Sequence, residues 1–488
     1  MWTTLMLRKL LSKILSVLAL QSILFGPHSC ALRYGCPARP LIKPCVCQEI
    51  TKGLDVSCEG ARLEQLREAL ENFGQTGQIV WYLKMRKNQM LTFPSFLLDG
   101  LDIRHLVAHH CNITSIDDSA FIGLSDLLES LDLSQNGLHE IPSKGLEPLL
   151  SLISLNLNYN LIESIEANAF KGLISLLRLS IYGNKIKSID GMAFNGIGGN
   201  LTRINLGGNL LPAIPSKPLQ HLKSLQRLQI HENRISSVTV DELGSIGLAQ
   251  SLDVLNLAIN SLDELSENAF SNFQALNSLD LEGNHISKIH INAFKGIEES
   301  LEWLKLGENR LDAIPSESLR NLTKLRQLDL RGNNISVIHN NALKEFGNNL
   351  KFIYLQKNNI ELIESEALDN LHSLEWFYIQ SNKLKTLSYH TFKPLFNSLS
   401  VLDAHDNPFV CDCQITWFRE WMIKGRGSVV VSLPKETKCQ SPTSLYKTPI
   451  SEIPYEVLSC TNTGSLSCLP SFPAMVSLFI SLMIVIIV

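Results

Sequence analysis

Leu328-Asp329-Leu330-Arg331-Gly332-Asn333 has a near copy in Leu131-Asp132-Leu133-Ser134-Gln135-Asn136. The shared pattern is apolar, any, apolar, any, any, Asn. Its last position recurs fourteen times between Asn88 and Asn407, about every 24.5 residues, with Cys111 once in place of Asn. A second marker fixes the register. Ten residues after each of the first thirteen positions stands Leu or Phe, from Leu98 and Phe121 to Phe392. The variation in repeat length therefore falls later, in inserts just before the next strand such as 196–200 and 345–349, and gives a weak double period of about 49.

A repeat of this length and pattern is one coil of a leucine-rich-repeat solenoid. The fold class expected is an α/β solenoid, a horseshoe with a parallel concave β-sheet and closed ends. One coil cannot bury its apolar face, so the coils stack. The Asn side chain bonds backbone groups inside the turn, where an unsatisfied group costs roughly 1–3 kcal/mol. Cys111 is small enough for that position and reads as a free core thiol.

Composition agrees with a folded extracellular chain. Of 488 residues 18% are charged, and the net charge is −4, which gives no bias towards nucleic acid. Arg8, Lys9 and Lys13, the apolar run from Ile14 to Phe25, and Ser29 with Ala31 read as a signal peptide over 1–31. A short membrane anchor is the alternative. Cysteines cluster at both ends of the repeats: Cys36, Cys45, Cys47 and Cys58 before them, Cys411, Cys413, Cys439 and Cys460 after them. Even numbers in a secreted chain point to disulfide caps over the open solenoid ends, although spacing leaves three connectivities per cap.

Residues 36–58, and Asn407-Pro408-Phe409-Val410-Cys411-Asp412-Cys413 with Trp417, Phe418 and Trp421, resemble the cysteine caps of extracellular leucine-rich-repeat proteins. That resemblance covers about 36–460. It implies the pairs Cys36–Cys47, Cys45–Cys58, Cys411–Cys439 and Cys413–Cys460. The chain is also similar to arthropod adhesion proteins of the connectin and chaoptin type. The doubled repeat looks like the non-catalytic leucine-rich-repeat subunit of oplophorus-luciferin monooxygenase. The domain plan that follows is signal peptide 1–31, N-terminal cap 32–78, repeats 79–407, C-terminal cap 408–460, stalk 461–464 and a removed segment 465–488.

That last assignment rests on the tail. Ala474 to Val488 is apolar or small over fifteen residues, short of the roughly 20 a spanning helix needs. No Lys or Arg follows it. Small residues, an uncharged spacer and a hydrophobic tail form the layout of a GPI-anchor signal, with Asn462 as the expected attachment residue. A C-terminal transmembrane helix is the alternative.

Two groups stand out among side chains expected on the concave face. Arg178, Arg203 and Arg227 share one column, where a sulfated glycan or an acidic loop would balance their charge; the bland alternative pairs them with nearby acids. Trp303, Phe352, Tyr354, Trp376 and Tyr378 gather towards the C-terminal third and read as interface anchors; the alternative packs them against one another or under the cap. Glycosylation sequons occur at Asn112, Asn200, Asn321 and Asn334. No nucleotide, zinc or serine-hydrolase motif occurs, and His109-His110 reads as a solvated turn.

The expectation is a cell-surface protein, not an enzyme, with no cofactor and no nucleic-acid partner. It would sit on the outer face of the plasma membrane through a GPI lipid and recognise an extracellular protein, either another copy of itself or a co-receptor. A non-catalytic scaffold subunit of a secreted enzyme and a glycan-recognising receptor are the competing functions.

Overall fold

The structure is a computed structural model that describes residues 35–240, 250–424 and 430–458. The expected signal peptide, Asn462, Cys460 and the removed tail lie outside the described residues. The chain divides into two compact units: Met1–Ile181 with Asn195–Ile197, and Tyr182–Phe194 with Gly198–Val488.

The first unit begins with the hairpin Val46–Ile50 and Gly53–Glu59, which are antiparallel. Gly53–Glu59 then pairs in parallel with Ile79–Arg86, which pairs with Asp102–His109. Ser130–Asp132, Ser154–Asn156 and Arg178–Ser180 follow, all parallel. The helix Leu63–Gly74 turns Leu66, Ala69, Leu70 and Phe73 into the core. Disulfides Cys36–Cys47 and Cys45–Cys58 fasten this end.

In the second unit Arg203–Asn205, Arg227–Gln229, Val254–Asn256, Ser278–Asp280, Trp303–Lys305, Gln327–Asp329, Phe352–Tyr354, Trp376–Tyr378 and Val401–Asp403 form a continuous parallel ladder. In each strand the middle residue is buried and its two neighbours are at least partly exposed, except that Asp329 and Asp403 are buried as well. The helix Thr416–Lys424 closes the far end. Its Trp417 ring donates to the Leu387 carbonyl at 2.8 Å, and Trp421 packs 4.9 Å from Phe396. Cys411 pairs with Cys439. Cys413 is disulfide-bonded, and the expected partner Cys460 is not among the described residues.

The asparagine ladder does the work expected of it. Asn333 donates to the carbonyls of Leu306 and Leu330, each at 3.0 Å, and accepts from the Leu311 amide at 3.0 Å. Two of those groups belong to the preceding coil, so one side chain ties two coils together. The Leu or Phe marker is buried at every described position, and Leu243 lies outside the described residues.

Cys111 solves the same problem differently. Its thiol faces the Met85 and His109 carbonyls at 3.4 Å. The amide that an Asn oxygen would have accepted, that of Met90, donates instead to the Cys111 carbonyl at 3.1 Å. Burial pushes the thiol above its usual range, which leaves it protonated and unreactive. Alkylation of the folded protein at neutral pH is therefore expected to spare Cys111, and unfolding to expose it. Peptide mapping checks this; rapid native labelling would contradict the packing.

Three features of the coils were not apparent from sequence. The residue before every ladder position has a positive φ, and ten of these fourteen are not glycine, Lys87, Glu232 and Asp406 among them. Each left-handed non-glycine residue costs about 1–2 kcal/mol, which the ladder hydrogen bonds offset. Gly208 is needed at its position for another reason as well: a Cβ there would lie 2.9 Å from the Tyr182 ring. Second, the outward residue four before the ladder is often Asp or Asn, and its side chain accepts the amide two residues on, as at Asp132, Asn205 and Asp329. Third, the convex side carries short strand pairs, Thr92–Phe93 with Ser115–Ile116, Glu264–Leu265 with Lys288–Ile289, and Val337–Ile338 with Leu362–Ile363. Coils with Pro142, Pro215 and Pro315 carry a helical turn there instead. Proline has no N–H to give to such a ladder.

Candidate recognition face

Strand register places all five predicted aromatic residues of the second unit on one sheet face. Phe352 and Tyr354 stand directly beside Trp376 and Tyr378. Trp303 is two strands away from Phe352, with Gln327 between them. The rings nonetheless approach to 6.2 Å, nearly parallel, so they lean together over Gln327. Phe352 meets Trp376 edge-on at 4.9 Å, and Tyr354 stacks on Tyr378 at 5.1 Å. The rings thus pack against one another and still present a surface: Trp376 is 39% exposed, and the other four are half-buried.

The two tyrosines occupy the position that Asp or Asn fills in seven of the fourteen coils. No carboxylate or amide is there to accept the next amide but one, and the side-chain oxygens of Gln356 and Gln380 are buried without a hydrogen-bond partner among the described residues. Tyr354 and Tyr378 therefore supply aromatic surface where Asp132, Asn205 and Asp329 supply a hydrogen bond to the following turn.

Beside the rings lies a charged cluster. Asp329, almost fully buried, holds the Arg331 guanidinium at 2.7 Å, and Arg331 also reaches Glu282 at 2.5 Å. Burial pushes the Asp329 carboxyl above the usual range, against the pull of Arg331. Burial and then Tyr378 and Asp329 raise the Tyr354 phenol. Its hydroxyl stays protonated at neutral pH and can donate to a partner. His405 contacts the Asp403 carboxylate at 2.5 Å on the other side. The patch therefore has apolar rings at its centre and polar groups at its rim, the usual layout of an interface.

The three arginines fall in both units. Arg203 and Arg227 are exposed register neighbours in the second unit. Arg178 is exposed too but belongs to the first unit, beside Ser154. None of the three has an ion pair among the described residues. All four sequon asparagines are exposed, and none is on a sheet strand. His109 and His110 lie 3.2 Å apart through their Nδ1 atoms. No group of three metal-ligating side chains occurs among the described residues, and no helix among them is long and apolar enough to cross a membrane.

Comparison with known proteins places these coils. Residues 102–162, 127–186, 151–199 and 174–235 match the family Leucine rich repeat, and residues 263–398 match six copies of the BspA type Leucine rich repeat region. Over 100 residues the chain is 33% identical to leucine-rich repeat-containing protein let-4 of Caenorhabditis elegans, a span of 20% of this chain and 13% of that protein. Three solved structures share the fold. A chain of the TLR13–ssRNA13 complex has a TM-score of 0.65 at 23% identity over 78% of this chain and 57% of its own. One of the mouse RP105/MD-1 complex has 0.63 at 19%, over 83% and 74%. One of the Drosophila Toll–Spatzle complex has 0.60 at 20%, over 82% and 56%. The chain spans little more than half the length of the TLR13-complex and Toll-complex chains, and the likeness is one of fold. With its repeats, its parallel sheet and its paired cysteines, the chain is a leucine-rich-repeat protein with a disulfide-bonded N-terminal region.

Proposed function

We propose that this chain is an extracellular recognition protein, held on the cell surface by a GPI lipid at Asn462, that binds a protein partner through the aromatic patch of its second unit. The observation that carries the reading is the stacked group Trp303, Phe352, Tyr354, Trp376 and Tyr378 on a rigid sheet. Rings ordered by one another lose little entropy on binding, and they leave apolar surface for a partner to cover. Disulfides at both ends suit an oxidising, extracellular setting. The solved relatives include receptors in complex with a protein, as in Toll–Spatzle and RP105/MD-1, and one in complex with RNA. That company favours binding as the activity. Adhesion between identical copies is the first form to test, on the likeness to connectin-type proteins.

Non-adherent cells displaying the full-length protein provide the test. Aggregation is expected, and a phosphatidylinositol-specific phospholipase is expected to release the protein and disperse the cells. Retention of the protein after treatment contradicts the lipid anchor. Surface display without aggregation contradicts homophilic adhesion and directs the search to a second protein.

A further inference from the structure

Residues 182–235 carry seven Lys or Arg against two acids, in a chain whose net charge is −4. Lys185, Arg203, Lys217, Lys223, Arg227 and Arg234 are all exposed, and none has an ion pair among the described residues. Elsewhere in the second unit acids lie closer to hand, and some of the same residue types are tied to them: Lys305 to Asp280 at 2.8 Å, Arg331 to Asp329 and Glu282, and Lys351 to Glu375 at 2.7 Å. Of the two acids in the band, Asp190 is exposed, while Glu232 accepts the Tyr182 hydroxyl at 2.8 Å beside His231.

We infer that this band is a second binding site, separate from the aromatic patch, and that its ligand is a linear sulfated polysaccharide. Arg203 and Arg227 stand on adjacent strands, roughly 5 Å apart along the sheet. Lys223 precedes a strand, Lys185 and Arg234 follow ladder positions, and Lys217 lies in the convex helical turn. Charges spread over several sides of the coils make no closed pocket for a single anion. They suit a chain of regularly spaced anions that can bend around the coils and release its counterions. A protein partner needs an apolar anchor, and the only exposed large apolar side chain of the band among the described residues is Met192. Single-stranded nucleic acid needs free aromatic faces for its bases, and the Tyr182 and His231 rings are stacked on each other at 5.5 Å. Gly207, without a side chain, makes room for the His231 ring; a Cβ there would strike it.

Retention of the full-length protein on immobilised heparin, followed by salt elution, tests the inference. The variant Arg203→Ala/Arg227→Ala/Arg234→Ala is compared with Lys288→Ala/Lys295→Ala/Arg310→Ala, which removes as many exposed charges from another part of the same unit. The first variant is expected to elute at clearly lower salt. Its slope of log affinity against log salt should be smaller by about two to three, at roughly 0.7–0.9 per lost contact. The control variant should elute with the parent, and desulfated heparin should fail to compete. Equal losses in both variants, no loss in the first, or equally good competition by a single-stranded oligonucleotide or polyglutamate would overturn the assignment. Circular dichroism of both variants separates these outcomes from misfolding.

Discussion

Replacing both Trp376 and Tyr378 with Ala is expected to weaken partner binding by at least about 2 kcal/mol, roughly thirtyfold. In the cell assay this appears as loss of aggregation at unchanged surface level. The two side chains are neighbours on one strand and close both aromatic stacks, with Phe352 and with Tyr354. Removing them opens the centre of the patch and leaves its polar rim in place. The cost to the fold is smaller, because Trp376 is already 39% exposed and each lost ring pair contributes about 0.5–1.5 kcal/mol. A melting curve close to the parent, together with lost binding, is the expected combination. Unchanged binding would mean that the rings are a structural stack alone.

The second large effect is on stability. Asn333→Ala should cost at least about 3 kcal/mol, because it strands the Leu311 amide and the Leu306 and Leu330 carbonyls in the core. Stability in a solenoid is close to a sum of coil and neighbour terms, so the damage spreads to adjacent coils. Denaturant titration gives the loss, and hydrogen exchange locates it in the coils around residues 306–335. The sequon at Asn334 is untouched by this change. A loss below about 1 kcal/mol would show that backbone and water replace the side chain, as the Cys111 carbonyl does for the Met90 amide.

The ladder, the buried Leu or Phe marker and the strand register were legible in sequence, because each is a side-chain requirement repeated at fixed spacing. Register alone was enough to place Trp303, Phe352 and Trp376 in one column and Tyr354 with Tyr378 in another. The lean of two rings over Gln327 was not legible, since it depends on rotamers rather than spacing. The left-handed residue before each ladder position left no clear mark either: only Gly183, Gly208, Gly283 and Gly332 show the residue type that such a φ favours. The Asp and Asn residues four before the ladder were visible in the sequence, but read only as outward positions. Spacing puts Arg178, Arg203 and Arg227 in one column. Arg178 falls in the first unit and Arg203 and Arg227 in the second, and the basic character of the band 182–235 rests on more residues than the column itself.

Photo-crosslinking from position 327 tests the central claim most directly, with benzoylphenylalanine in place of Gln327 in the surface-displayed protein. A probe at Asn292, on the convex side, serves as control. The account predicts a partner adduct from position 327 and none from 292, lost when Trp376 and Tyr378 are replaced. Adducts from 292 with none from 327 would place recognition elsewhere and contradict the aromatic face.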